Sequence, residues 1–307
     1  MCLLPLCGPG QQAEFRADVQ LVNVGFSVRD AQGKLVTALA REDFEVLEDG
    51  MLQKISFFAR SEDVPLTLGL VVDISGSQSS FVRAHEKDLK TFLATALGPK
   101  DRAFLMCFAN RLRLVTDFSA PGKDLAAALT GFLSTRDKSV YPELGPSEDR
   151  ILGTAFYDAI YYSATQMLGN VQSGRKALLI LSDGEDNSSA HHMMDAIEAA
   201  QSNNVLLFAV RYTEIEGHRL NARNKYGMSV MTRIAKETGG ADFDARDKGL
   251  ADDFRQIGDQ LRLAYELSYH STNPEVDGTF RKISIRVKQP GLAAVAKTGY
   301  YSKIAVK

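Results

Sequence analysis

The chain has 307 residues, of which 45% are hydrophobic and 24% charged, with a formal net charge of −2. That composition marks a folding, globular chain with room for one large core and a smaller second unit, and it excludes the disordered and collagenous classes. The near-neutral balance gives no electrostatic basis for a nucleic-acid partner, and no apolar run reaches the ~18–20 residues needed to span a bilayer.

In chain order, Met1 to Gly10 is short and apolar and carries Cys2 and Cys7, but it lacks the basic residues and small-residue cleavage site of a complete signal peptide. Residues 1–16 are read as a disordered or truncated leader, and the residues before Cys7 are too large for a lipid-anchor site. Val22, Val24, Phe26 and Val28 then alternate like a half-buried strand, with turn chemistry at Asp30-Ala31-Gln32-Gly33. Phe44–Leu47 and Ile55–Phe58 flank Glu48-Asp49-Gly50, where Asp-Gly suits a tight hairpin, so residues 17–64 read as all-β.

The pattern changes after Pro65. Leu66–Val72 is a continuous apolar run, as expected of a strand covered on both faces, and a helical period follows through Phe81, Leu89, Phe92, Leu93 and Ala96. Strands over Ala103–Phe108, Arg113–Asp117, Ala177–Leu181 and Val205–Val210 alternate with helices near Lys123–Leu133, Phe156–Leu168, Met194–Ala200, Ser229–Thr238 and Leu250–Leu263. Such alternation predicts an α/β unit over 65–264, a doubly wound, mostly parallel sheet with helices on both faces. Cys107, inside the apolar run Ala103–Phe108, reads as a buried free thiol.

From Tyr265 the period returns to two, through Leu267, Tyr269, Ile283, Ile285 and Val287. An isolated pair of strands is marginal in water, so 17–64 and 265–307 are expected to pair with each other. The predicted architecture is one discontinuous β-sandwich built from both chain ends, with the Rossmann-like α/β domain inserted into it.

Asp73-Ile74-Ser75-Gly76-Ser77 follows directly on the strand Leu66–Val72, so its oxygen side chains lie at the C-terminal rim of the sheet, where open α/β folds place ligands. Leu178–Leu181 ends in Ser182-Asp183-Gly184-Glu185-Asp186-Asn187, which brings a second carboxylate to that rim, and Gly153-Thr154-Ala155 opens a helix with a further hydroxyl. Carboxylate and hydroxyl oxygens are hard donors matched to Mg²⁺ and poorly matched to softer metals. Together these side chains can surround one ion.

Asp73-x-Ser75-x-Ser77, Thr154 and Asp183, in that order and spacing, resemble the metal-ion-dependent adhesion site of von Willebrand factor A domains over roughly residues 65–264. The resemblance implies a metal held by Asp73, Ser75, Ser77, Thr154 and Asp183, with Mg²⁺, or Mn²⁺ or Ca²⁺, as the ion. It also implies an open coordination position that receives an Asp or Glu carboxylate from a protein partner, and no catalytic residue. Asp43-Phe44, Thr238-Gly239-Gly240, Asp277-Gly278-x-Phe280-Arg281-Lys282-Ile283 and Gly299-Tyr300 resemble the bacterial VWFA-related proteins of acidobacterial type. From that resemblance, a secreted, periplasmic or cell-surface location is expected.

Glu185 and Asp186 read as solvated loop charges, and His191-His192 as a solvated helix start, since adjacent helical residues point about 100° apart and cannot easily chelate one ion. The aperiodic segment Ser134–Arg150 and the segment Glu214–Tyr226 are candidate selectivity loops. The competing reading is a Mg²⁺-dependent phosphatase of haloacid dehalogenase type with Asp73 as nucleophile. That class needs an aspartate two positions later as general acid, and Ser75 stands there. A structural module with an incidental metal is the third reading.

Overall fold

The computed structural model describes residues 21–61, 64–119, 124–145, 153–172, 174–214, 220–262 and 264–302. The leader expected over 1–16, with Cys2 and Cys7, lies outside them. Strand β1 (Leu21–Arg29) buries Val22, Val24, Phe26 and Val28, the alternating set that a half-covered strand requires. Strands β2 (Phe44–Glu48) and β3 (Met51–Gln53) form a hairpin. Asp49 and Gly50 turn it at φ 48° and 84°, the two positive angles of a two-residue turn matched to strand twist. Strand β4 (Ile55–Ser61) departs from the sequence reading: after a break at Lys54 it leaves the hairpin and pairs in a different sheet.

The α/β stretch opens with β5 (Leu66–Asp73), buried at every position, followed by α1 (Val82–Ala96), β6 (Arg102–Phe108), β7 (Leu112–Ser119) and α2 (Leu125–Ser134). The Asp124 side chain accepts from the Ala127 amide at 2.8 Å and so starts α2. Then come β8 (Glu143–Leu144), α3 (Phe156–Tyr162), which continues as a π-helical turn over Ser163–Met167, β9 (Arg175–Ser182), α4 (Met193–Ser202) and β10 (Val205–Arg211). Next are α5 (Ala222–Thr238), β11 (Asp242–Asp244) and α6 (Leu250–Arg262). α5 begins earlier than its apolar period shows, because Asn221 caps it by accepting from the Asn224 amide at 2.8 Å. The chain closes with β12 (Ala264–His270), β13 (Phe280–Val287), β14 (Ala293–Ala296) and β15 (Gly299–Tyr301).

The central sheet has seven strands in the order β11-β10-β9-β5-β6-β7-β8. Its strands are parallel from β11 to β6, and β7 and β8 add antiparallel. Alternate strand residues feed two cores. Phe104, Met106, Leu178, Ile180 and Leu207 pack with residues of α3, α4 and α5, whereas Leu105, Cys107, Leu179, Leu181 and Phe208 pack with residues of α1, α2 and α6. Cys107 is the buried free thiol that its apolar context indicates.

Two further four-stranded sheets, β14-β1-β12-β4 and β15-β13-β2-β3, each combine strands from both ends of the chain. Val24, Phe26, Tyr265 and Leu267 of the first and Phe44, Val46, Ile283 and Tyr300 of the second share one hydrophobic cluster. No helix among the described residues is long and apolar enough to cross a membrane.

Candidate metal centre

Parallel pairing of β5 with β9 ends at Val72 opposite Leu181, so Asp73 and Ser182 emerge side by side at the C-terminal rim. Ser182 Oγ donates to Asp73 Oδ2 at 2.6 Å, and the Ser75 amide donates to Asp73 Oδ1 at 2.9 Å. The chain then turns through the 3₁₀ segment Gly76–Phe81. Ser75 Oγ lies 3.2 Å from Ser77 Oγ, and Ser77 Oγ donates to Asp183 Oδ2 at 2.6 Å. One continuous hydrogen-bonded network therefore joins Asp73, Ser75, Ser77 and Asp183.

Thr154 stands at the same rim without a hydrogen bond to those four. Its amide donates to Asn187 Oδ1 at 2.7 Å, and its carbonyl accepts from the amides of Asn187 and Ser188 at 3.0 and 3.2 Å, which tie it to the loop beyond Asp183. The Ala155 amide donates to Ala109 O at 2.8 Å, one residue past the β6 position that pairs with Asp73. Thr154 is 7% exposed, and its hydroxyl makes no hydrogen bond among the described residues. The helix itself begins only at Phe156, so Thr154 lies in the loop before it and not in its first turn.

Burial pushes the Asp73 carboxyl up to about 7. The hydroxyls of Ser182 and Ser75 pull against that shift, and the charge of Asp183 adds to it. Neither Asp73 nor Asp183 has an ion pair with Lys or Arg among the described residues. No three His, Cys, Asp or Glu side chains converge among those residues, so a metal here would have to draw on the hydroxyls as well as the carboxylates. The donor chemistry fits a hard divalent cation: buried acidic oxygens without a cationic partner, hydroxyls on the same network, and a free threonine hydroxyl at the rim.

Several rim residues escaped the sequence reading. Gln78 is buried and donates through Nε2 to Asp183 Oδ2 at 2.9 Å and to Tyr212 O at 3.3 Å. Gly227 of α5 packs its backbone on Asp183 and Gly184. Glu185 and Asp186 are not solvated charges. Glu185 pairs with Arg223 at 2.7 Å, and Asp186 accepts from the Tyr157 amide at 3.2 Å and from the Ser189 hydroxyl. Nor is His191 a solvated helix start. Its Nδ1 lies 2.8 Å from Oδ1 of the buried Asp158, and its ring stacks on Tyr161 at 3.7 Å, while His192 alone takes the N-cap position of α4, its amide donating to Asp195 Oδ2 at 2.8 Å.

Of the two candidate selectivity loops, the first contains a 3₁₀ turn over Lys138–Val140 and the strand β8, and residues 146–150 lie outside the described set. The second starts against the rim, with Ser80 Oγ donating to Glu214 Oε1 at 2.7 Å. Residues 215–219 lie outside the described set, and Tyr226, at its end, is 61% exposed.

No family model matches the chain, and no curated protein matches it. Among solved structures it is similar to an aerotolerance-related membrane protein of Bacteroides fragilis, at 17% identity and a TM-score of 0.45, covering 64% of this chain and 98% of that one. It is similar to the conserved hypothetical protein BatB of Bacteroides thetaiotaomicron, at 16% identity and a TM-score of 0.42, covering 64% and 96%. The PilB minor pilin of Streptococcus sanguinis is also similar, at 13% identity and a TM-score of 0.42, covering 65% and 61%.

Proposed function

We propose that this chain is a von Willebrand factor A-type interaction module, carried on a sandwich of its two four-stranded sheets, that binds an acidic protein partner through a divalent cation. The observation that carries this reading is the hydrogen-bonded network Asp73–Ser75–Ser77–Asp183 on the rim of the parallel sheet, with the unpartnered hydroxyl of Thr154 at the same rim. In this reading these five residues hold Mg²⁺, or Mn²⁺ or Ca²⁺ in its place. When bound, the cation supplies a Lewis-acidic position that a carboxylate oxygen of the partner can occupy.

The remaining work falls to the chain's own side chains. Asp73 and Asp183 supply the negative charge, and the small number of carboxylates leaves a cation attractive to an outside acid. Ser182 and Gln78 orient the two carboxylates from behind, as outer hydrogen-bond partners do in metal sites. Binding is favoured over phosphatase chemistry because Asp73 is fully buried with both oxygens engaged, an arrangement that suits a ligand-holding carboxylate better than an attacking nucleophile. The location proposed, on resemblance alone, is the bacterial periplasm, cell surface or exterior.

The test is thermal unfolding with and without metal. Mg²⁺ or Mn²⁺ at about a hundred times its Kd should add roughly 2.7 kcal/mol of native-state stability, which EDTA reverses and Asp73→Ala abolishes. A pull-down of partner proteins should lose its catch in EDTA. Unchanged melting at saturating metal would refute the cation site, and a phosphoesterase activity lost in Asp73→Asn would replace adhesion by catalysis.

A further inference from the structure

At the opposite end of the molecule, the seam between the seven-stranded sheet and the β14-β1-β12-β4 sheet encloses a cavity of about 320 Å³. That is the size of a small-molecule site, and such sites gather at junctions of this kind. Arg175 and Lys176 open β9, whose other end carries Ser182 at the rim. At ~3.3 Å per residue the eight residues of β9 put the two places roughly 25 Å apart.

The sequence makes this space in β1. Val24, Phe26 and Val28 turn into the shared core of the two small sheets, which leaves Gly25 and Ser27 on the seam. A Cβ on Gly25 would meet nothing within 4 Å, so the glycine leaves a gap where a strand residue would ordinarily pack.

The lining is basic. Arg175 Nη1 donates to the carbonyls of Gln260 and Leu261 at 3.2 and 3.0 Å, and Lys176 Nζ donates to those of Leu168 and Val171 at 3.3 and 3.4 Å. Lys297 Nζ donates to Gln201 O at 3.1 Å and Asn204 Oδ1 at 2.6 Å. None of the three has a carboxylate within ion-pair distance among the described residues, and the one acid on the wall, Glu266, is exposed and acts by its charge on Arg175 alone. Burial, with Lys176 adding to it, pushes Lys297 down to about 8, and burial pushes Arg175 down to about 10 against the opposing charge of Glu266. Two partly buried cations without a counter-ion, Lys176 and Lys297, are costly. Two buried polar atoms on the same wall, Ser27 Oγ and Gln201 Oε1, also have no hydrogen-bond partner. The first can donate to an anion, and the second can only accept, which calls for a hydroxyl or amine on whatever sits beside it.

We propose that this seam cavity binds a small hydroxylated organic oxyanion, its charged end held by Lys176 and Lys297, which share the α3–α4 face of the sheet, and its hydroxyl by Gln201. The site is independent of the cation rim, so the experiment uses the full chain in EDTA at matched ionic strength. Calorimetric titrations with glycerol 3-phosphate, glycerate and glycerol distinguish a phosphate head, a carboxylate head and no head on one body. Saturable binding of either anion and none of glycerol is expected, and the stronger of the two identifies the head. Lys297→Gln should weaken that binding at least about tenfold. Gly25→Val, whose first added carbon meets open space, should abolish it while thermal unfolding stays cooperative. Absence of saturable heat for both anions, equal binding of glycerol, or full binding by folded Gly25→Val would overturn the site.

Discussion

Gly227 sets how closely α5 approaches the rim. A Cβ at this position would stand 2.3 Å from the Asp183 carbonyl oxygen, and one on Gly184, at φ 78°, would stand 2.5 Å from the Gly227 carbonyl. Gly227→Ala is expected to cost about 1–3 kcal/mol by overpacking, read as a lower denaturation midpoint, and to shrink the rise in melting temperature proposed for Mg²⁺ as Asp183 moves with its backbone. His85 makes a second case. It is 1% exposed, meets Tyr212 edge-on at 4.3 Å, and its Nε2 has no partner. Burial pushes its imidazole down to about 4, whereas an unfolded histidine titrates near ~6.5. Below that value the unfolded chain takes up a proton that the folded one refuses. Stability is therefore undiminished above about pH 6.5 and falls by up to about 3 kcal/mol as pH drops toward 4. His85→Phe should flatten that acid limb in unfolding curves at neutral and acidic pH. The rim positions of Asp73, Ser75, Ser77 and Asp183 could be read from the sequence because strand-end loops follow visibly from apolar runs. Gln78 and Gly227 could not, since each acquires its meaning only from a contact with the Asp183 loop, far away in the chain.

Among the elements, the long strands and helices are legible wherever one period holds for a full element, as in β5, β9, α1 and α6. Short ones are not: β8, β11 and β14 have only 2, 3 and 4 residues, too few for a period, and take their strand form from a neighbour's edge. The exit of β4 from its hairpin is hidden for a related reason, because alternation shows which face a residue takes but not which sheet it joins. Between α3 and α4, Asp158 is the joint. It accepts from the amides of Ala190 and His191, both at 3.0 Å, as well as contacting the His191 ring. Asp158→Ala leaves those donors stranded and should cost roughly 3 kcal/mol. Faster amide exchange at Ala190 and His191 than in the parent would confirm it, and unchanged protection would count against the joint.

For the whole molecule, Glu48 ties the two small sheets together. From β2 it accepts Tyr269 OH of β12 at 2.8 Å and Tyr300 OH of β15 at 2.9 Å, with Ser271 Oγ at 2.5 Å. Glu48→Ala leaves these hydroxyls unpaired in the interior and is expected to lower stability by roughly 3 kcal/mol in denaturant titrations, with the metal response of the rim retained. The way the chain crosses between its parts has a mechanical consequence as well. Ser61 and Ala264, which lead into and out of the seven-stranded unit, face each other as the last pair of the β4–β12 ladder. In the binding proposed for the rim, a pull on the partner that parts the seam would reach β4 and β12 together at that same end, so their mutual rungs are not prised open and the load falls on β12 sliding along β1.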